Sequence, residues 1–386
     1  MKRAARMEGI AGFGIDRVAA AVLDADVLRL ENLDTDLGLP PEAVSVTRSA
    51  LEDPVSNSWL PFTGDLGLRD AISSHVALRH GRVYDPVSEI VVTCGGTEGV
   101  LDVLLATVDP GDEVLMTDPI YAGLVNRVRL AGGVPTFAPL SVVDGEWRLD
   151  RVGLAAAVTD RTVALLLMSP SMPSGCVLDA DDWTFVASLC QRHDLFLVYD
   201  AAMEALLFDG RAPAGPLDVP GMDERTVLVG SMSKAYRMIG WRVGWIAGPA
   251  SVVGDAGWVH TYNTTGNVSV ARRAAEAVLR GPQGHVGEAV AELERRRDAI
   301  LAALPGWPLV RPAGGWSLLL DVAALGADPA TASAAMLEAG VAATGMTGWG
   351  AEVAARYVRF VFSAEPVERL ATLGERLART PLAAAL

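Results

Sequence analysis

The chain has 386 residues, 51% of them hydrophobic, and a formal net charge of -15 at pH 7. That length exceeds one simple core and points to a large domain with a smaller one, and the acidic balance argues against nucleic acid, which demands clustered Lys and Arg. No signal peptide follows the basic start, and no charge-free apolar run reaches membrane-spanning length; the scattered cysteines Cys94, Cys176 and Cys190 suit a reducing, cytoplasmic setting.

In chain order, residues 1–44 read as an N-terminal segment that packs with the C-terminal part. Residues 45–280 then alternate short apolar runs with helical patterns. The runs are Glu89–Cys94, Asp112–Thr117, Val134–Leu140, Thr162–Met168, Leu195–Asp200, Thr226–Ser231 and Val243–Gly248. Near-continuous apolar character marks strands buried on both faces, as in a parallel sheet. Helical stretches such as 96–108 and 181–193 lie between them, which predicts an α/β large domain with a mainly parallel sheet and helices on both faces. Residues 281–386 change pattern: a charged helix over 287–304 leads into apolar runs at 316–322 and 356–362. A smaller α+β domain built from both chain ends is expected. The five histidines show no ligand spacing, so no metal is expected.

Chemistry concentrates after the run Thr226–Ser231. There the chain reads Gly230-Ser-Met-Ser-Lys-Ala-Tyr-Arg-Met-Ile-Gly-Trp-Arg-Val-Gly244. A nucleophilic lysine suits Schiff-base chemistry, and Ser231, Ser233 and Arg242 supply phosphate donors beside it. Asp200 ends a strand at the edge where α/β folds hold ligands. Cys94-Gly-Gly-Thr-Glu98 joins a strand to a helix, whose first N–H groups attract anions.

These motifs resemble the class I/II aminotransferases, pyridoxal phosphate (PLP) enzymes of fold type I, over nearly the whole chain. The resemblance implies a PLP-transferase-like large domain and a homodimer with shared active sites. It implies that Lys234 forms the Schiff base and acts as general base at the substrate α-carbon. Asp200 would pair with the pyridinium nitrogen, and Tyr121, in Asp118-Pro-Ile-Tyr, would stack on the ring. Arg242, Ser231, Ser233, Gly96 and Thr97 would hold the phosphate. Arg359 would take the substrate α-carboxylate, in preference to nearby Arg356. Trp59 and the stretch Tyr262–Asn267 are candidates to reach across subunits.

Three positions depart from the family pattern. Met172, in Ser169-Pro-Ser-Met-Pro-Ser-Gly175, stands where an Asn donates to the phenolic oxygen of PLP. Met203, in Asp200-Ala-Ala-Met, replaces a Tyr donor to the same oxygen. Trp59 replaces a Tyr that reaches the neighbouring subunit's phosphate. A thioether cannot donate. The methionines either fill space or reshape the pocket for a bulky substrate. The loop over 30–41 lacks the family's glycine beside the substrate. An aminotransferase of specialised bacterial metabolism, passing an amino group from an amino acid to a 2-oxo acid, is the leading expectation. Elimination or replacement at the β- or γ-carbon, or oxidative or decarboxylative chemistry, is the alternative.

Overall fold

The computed structural model describes every residue except Met1, Ala11, Phe13, Trp59 and Leu60, so the expectation for Trp59 lies outside the described residues. The N-terminal segment contributes β1 (Leu28–Arg29). The central region supplies β2 (Ile90–Thr93), β3 (Glu113–Asp118), β4 (Val134–Val143), β5 (Glu146–Leu149), β6 (Thr162–Met168), β7 (Phe196–Asp200), β8 (Thr226–Ser231) and β9 (Gly244–Ala247). These eight form one sheet in the order β2-β9-β8-β7-β6-β3-β4-β5. Its centre is parallel, from β8 through β7, β6 and β3 to β4; β9 and β5 run antiparallel to their neighbours.

The apolar runs become strands because both faces are covered. Val114, Met116, Leu166 and Val198 pack under the helices Gly96–Thr107, Ala122–Ala131 and Ala250–Thr264. Their chain neighbours Leu115, Leu165, Leu167 and Leu197 face the opposite core with Trp183, Val186 and Leu189. The two-residue alternation of a strand thus feeds two apolar layers.

β5 was not expected from the apolar runs. Its strand Glu-Trp-Arg-Leu is half polar, and it closes a hairpin on β4 through Asp144 and Gly145, both at positive φ (52° and 77°). An Asp-Gly pair between strands is a tight-hairpin signal.

The C-terminal part builds an antiparallel sheet, β10 (Leu309–Val310), β11 (Ser317–Asp321), β14 (Tyr357–Val361) and β13 (Thr344–Gly345), in that order. β1 pairs with β12 (Val341–Ala342) in parallel, and Val361 N–H donates to Leu30 at 2.8 Å. The N-terminal segment therefore lies against this smaller sheet. Among the described residues, no helix is long and apolar enough to cross a membrane.

Candidate active site

The parallel strands end together, and their C-terminal edges deliver the polar residues. β7 ends on Asp200, β8 on Ser231, and Lys234 follows three residues later. β9 starts at Gly244, where a Cβ would come within 2.4 Å of the Gly96 nitrogen. Only glycine lets that strand approach the turn at the head of the helix Gly96–Thr107. Gly95 is at φ +86°, and a Cβ there would stand 2.5 Å from Arg242 Nη2. Arg242 itself is in the left-handed region.

Ser231, Ser233, Arg242 and the first N–H groups of the helix Gly96–Thr107 converge in this way. Arg242 Nη1 lies 3.4 Å from Ser233 Oγ, and Nη2 lies 3.4 Å from the Cys94 carbonyl. Cation, hydroxyls and helix N-terminus together offer the donors that a phosphate group takes. Beneath it, Glu98 Oε2 accepts from the Cys94 N–H at 2.5 Å, and Glu98 Oε1 lies 2.8 Å from His260 Nδ1. Asp102, one helical turn on, is fully buried. Burial first, then the neighbouring Glu98, pushes its carboxyl well above the usual carboxylate range. The histidine spacing had concealed this cluster of Glu98, Asp102 and His260, whose ligand atoms lie within 4.8 Å of one another.

Lys234 Nζ sits 4.2 Å over the ring of Trp316. Burial and then the Arg359 charge push it down to about 8, against the opposing pull of Asp200. Asp200 is buried, and its carboxylate accepts from the Ala202 N–H at 3.1 Å. Burial raises it to about 6, while Lys234 and Arg127 pull the other way. Tyr121 is raised by burial and feels the charges of Arg127, Arg359, Asp200 and Arg242.

Arg359 is fully buried at the centre of β14, between Leu319 of β11 and Thr344 of β13. Nη2 donates to the Glu31 carbonyl at 2.7 Å; Nε and Nη1 have no partner among the described residues. Its guanidinium lies 4.4 Å over Trp349, whose ring tilts against Tyr121 at 5.6 Å. Burial pushes Arg359 down to about 9, so it stays charged at neutral pH. Arg356 instead lies half-exposed and pairs with Asp321 at 2.6 Å.

Met172 and Met203 are both buried. A Cβ on Gly315, beside Trp316, would meet Met203 Sδ at 3.5 Å. Tyr262 is 84% exposed and stacks on exposed Trp258, whereas Asn267 turns inward to Cys94. Sequence reasoning missed three residues here: Trp316, Trp349 and Arg127, which donates to the Thr97 and Gly123 carbonyls. The Gly-Gly-Trp step before β11 was the one readable signal for Trp316.

Residues 25–377 match the family described as aminotransferase class I and II. The chain belongs to that family. It is 32% identical over 328 residues to the LL-diaminopimelate aminotransferase of Desulforudis audaxviator, covering 84% of this chain and 83% of that protein. It is 32% identical to the probable N-succinyldiaminopimelate aminotransferase of Mycobacterium tuberculosis, covering 87% and 90%. The solved structure of N-succinyldiaminopimelate aminotransferase from Mycobacterium tuberculosis superposes with a TM-score of 0.92 at 29% identity, covering 98% of this chain and 99% of that one. The protein is thus a PLP-dependent aminotransferase. These relatives favour transamination over elimination, replacement or decarboxylation. The site's chemistry fits the cofactor: a phosphate cradle, a lysine of lowered basicity and a carboxylate meet at one sheet edge.

Proposed function

We propose that this aminotransferase works on an amino acid held between Lys234 and Arg359, with a 2-oxo acid as second substrate. One observation carries the reading: among the described residues, the fully buried Arg359 has no partner for Nε or Nη1. A buried charge left so is costly, and a substrate carboxylate suits it, taking a forked pair from Nη1 and Nη2 or from Nε and Nη2.

The bound cofactor supplies an electron sink for the pair of electrons left at the substrate α-carbon. Asp200 holds a proton on the ring nitrogen by staying ionised; the charges of Lys234 and Arg127 support that state. Lys234 would take the α-proton, and its pKa of about 8 keeps part of it neutral near physiological pH. Arg242, Ser231, Ser233, Gly96 and Thr97 bind the phosphate. Tyr121 covers the ring, and Trp349 keeps water from the Arg359 guanidinium. Met172 and Met203, both buried, would present an apolar wall where the family pattern has donors.

We further read residues 1–44, 45–280 and 281–386 as the N-terminal segment, the large domain and the small domain, and the molecule as a cytoplasmic homodimer. The exposed Trp258–Tyr262 pair and a neighbouring cavity of about 490 Å³, lined by Pro61, Phe62 and Trp258, support a partner surface. Three unpaired cysteines suit a reducing compartment.

Borohydride reduction of the PLP-loaded protein followed by peptide mapping tests the assignment. The pyridoxyl group should appear on Lys234. Its appearance on another lysine would overturn the reading.

A further inference from the structure

Trp316 is 1% exposed, yet its indole N–H has no partner among the described residues. A buried donor left unmade is costly, so such a group calls for an acceptor that arrives with a ligand. The neighbours point to which ligand. Lys234 Nζ lies 4.2 Å from the centre of the same indole. By its covalent structure, PLP carries its phenolic oxygen on the ring carbon next to the one bearing the aldehyde. Wherever Lys234 captures that aldehyde, the phenolic oxygen comes close to the lysine nitrogen, and so to Trp316.

The segments carrying the two methionines bracket the same residue. A Cβ added at Gly315 would meet Met203 Sδ at 3.5 Å. The segment that holds Met172 is pinned to the Trp316 strand: Ala313 N–H donates to Gly175 at 3.0 Å, and Ser317 Oγ donates to Pro173 at 2.8 Å. Both thioethers are buried and neither can donate.

Resting on the proposed role of Lys234, we propose that Trp316 donates its indole N–H to the phenolic oxygen of the cofactor, the acceptor that Met172 and Met203 cannot serve. The charged groups facing Lys234 are Asp200, Arg359, Arg242 and Asp34, and none of them is changed by a substitution at Trp316.

The test is a pH titration of the visible band of PLP-loaded W316F beside the wild type. Phe keeps an aromatic face near the lysine nitrogen and removes the N–H along with part of the indole's bulk. A donor to the ionised oxygen favours its charge and so eases proton loss from the adjacent nitrogen. Its loss should move the transition upward by about one pH unit. An unmoved transition overturns the proposal. A downward move does so too, because it assigns the indole's effect to its face instead of its N–H. Should W316F not take up cofactor, indole-15N-labelled wild type decides. Loading the apoprotein should shift an indole proton signal downfield, and nine unmoved tryptophan signals would sink the idea. A wild type without any visible band would fail the reading of Lys234 instead, a separate outcome.

Discussion

The Arg359 guanidinium lies 4.4 Å over the Trp349 indole, and Asp118 holds the Trp349 loop in place by accepting from the Val353 and Ala354 N–H groups at 2.8 and 3.0 Å. A cation so enclosed by an aromatic face and a strand cannot be replaced by another cation of different shape. R359K keeps the charge but loses the forked geometry. Its kcat/KM for amino acids should fall by about 100-fold, roughly 2.7 kcal/mol of transition-state binding. Steady-state kinetics check this; a loss under about threefold would remove the carboxylate from Arg359.

Lys234 gives a second expectation. Capture of PLP by the apoprotein needs the neutral amine. With a pKa of about 8, the capture rate should rise with pH and level off above about 8, where an ordinary lysine would still be climbing toward 10.5. Burial sets most of that depression and Arg359 adds to it. R359Q, which removes the neighbouring charge, should move the plateau to higher pH. Stopped-flow absorbance of PLP uptake reads both.

Asp200 titrates in the opposite sense from most carboxylates. Burial raises it in the folded apoprotein from 3.8 to about 6. Above pH 6 it is ionised in both folded and unfolded chains, and the folded state carries the burial cost. As pH falls from 6 toward 3.8, the folded state takes up a proton that the unfolded state does not, so this residue's contribution to stability grows. Apo D200N should therefore be more stable than the apo wild type at pH 8, by up to about 3 kcal/mol. The gap should close by pH 4. Urea titrations at the two pH values check it; a gap independent of pH contradicts the assignment.

Much of this site was legible in the sequence. The strands were readable because they are buried on both faces, which leaves an apolar run such as Thr-Val-Ala-Leu-Leu-Leu-Met at residues 162–168 unmistakable. Lys234, Asp200 and Arg242 stood out because each ends or follows such a run at a set spacing. What stayed hidden is tertiary. Trp316 meets Lys234 across 82 positions, and Trp349 meets Tyr121 across 228, so no local pattern marks either pair. Glu98 and Asp102 are four apart on one helix face, a readable spacing. His260 joins them only through the packing of the helix Ala250–Thr264 on the helix Gly96–Thr107.

That hidden cluster makes its own prediction. Glu98 braces the phosphate turn through the Cys94 N–H. E98Q presents a neutral acceptor in place of a charged one, and a charge-assisted bond is worth about twice a neutral one. PLP affinity should weaken by about tenfold while the apoprotein stays folded, as equilibrium dialysis and circular dichroism would show. Unchanged affinity would mean that the turn holds itself.

The two methionines bear on the cofactor's protonation. With the single Trp316 N–H where the family pattern offers two donors, the ionised phenolic oxygen would still rely more on the adjacent protonated nitrogen. The visible-band transition of the holoprotein should then lie at higher pH than in typical relatives. M203Y, which restores a phenol donor, should bring it down by about one pH unit. A wild-type transition at or below the relatives' value would contradict this.

The central claim is amino transfer through Lys234, and the half-reaction tests it most directly. The holoprotein is incubated with a panel of amino acids, without any 2-oxo acid, and the cofactor is then extracted and identified. At least one amino acid should convert the bound cofactor to pyridoxamine phosphate, and a 2-oxo acid added afterwards should reverse it. If no amino acid yields pyridoxamine phosphate, while a substrate with a leaving group at its β- or γ-carbon is consumed with the cofactor unchanged, the account is wrong.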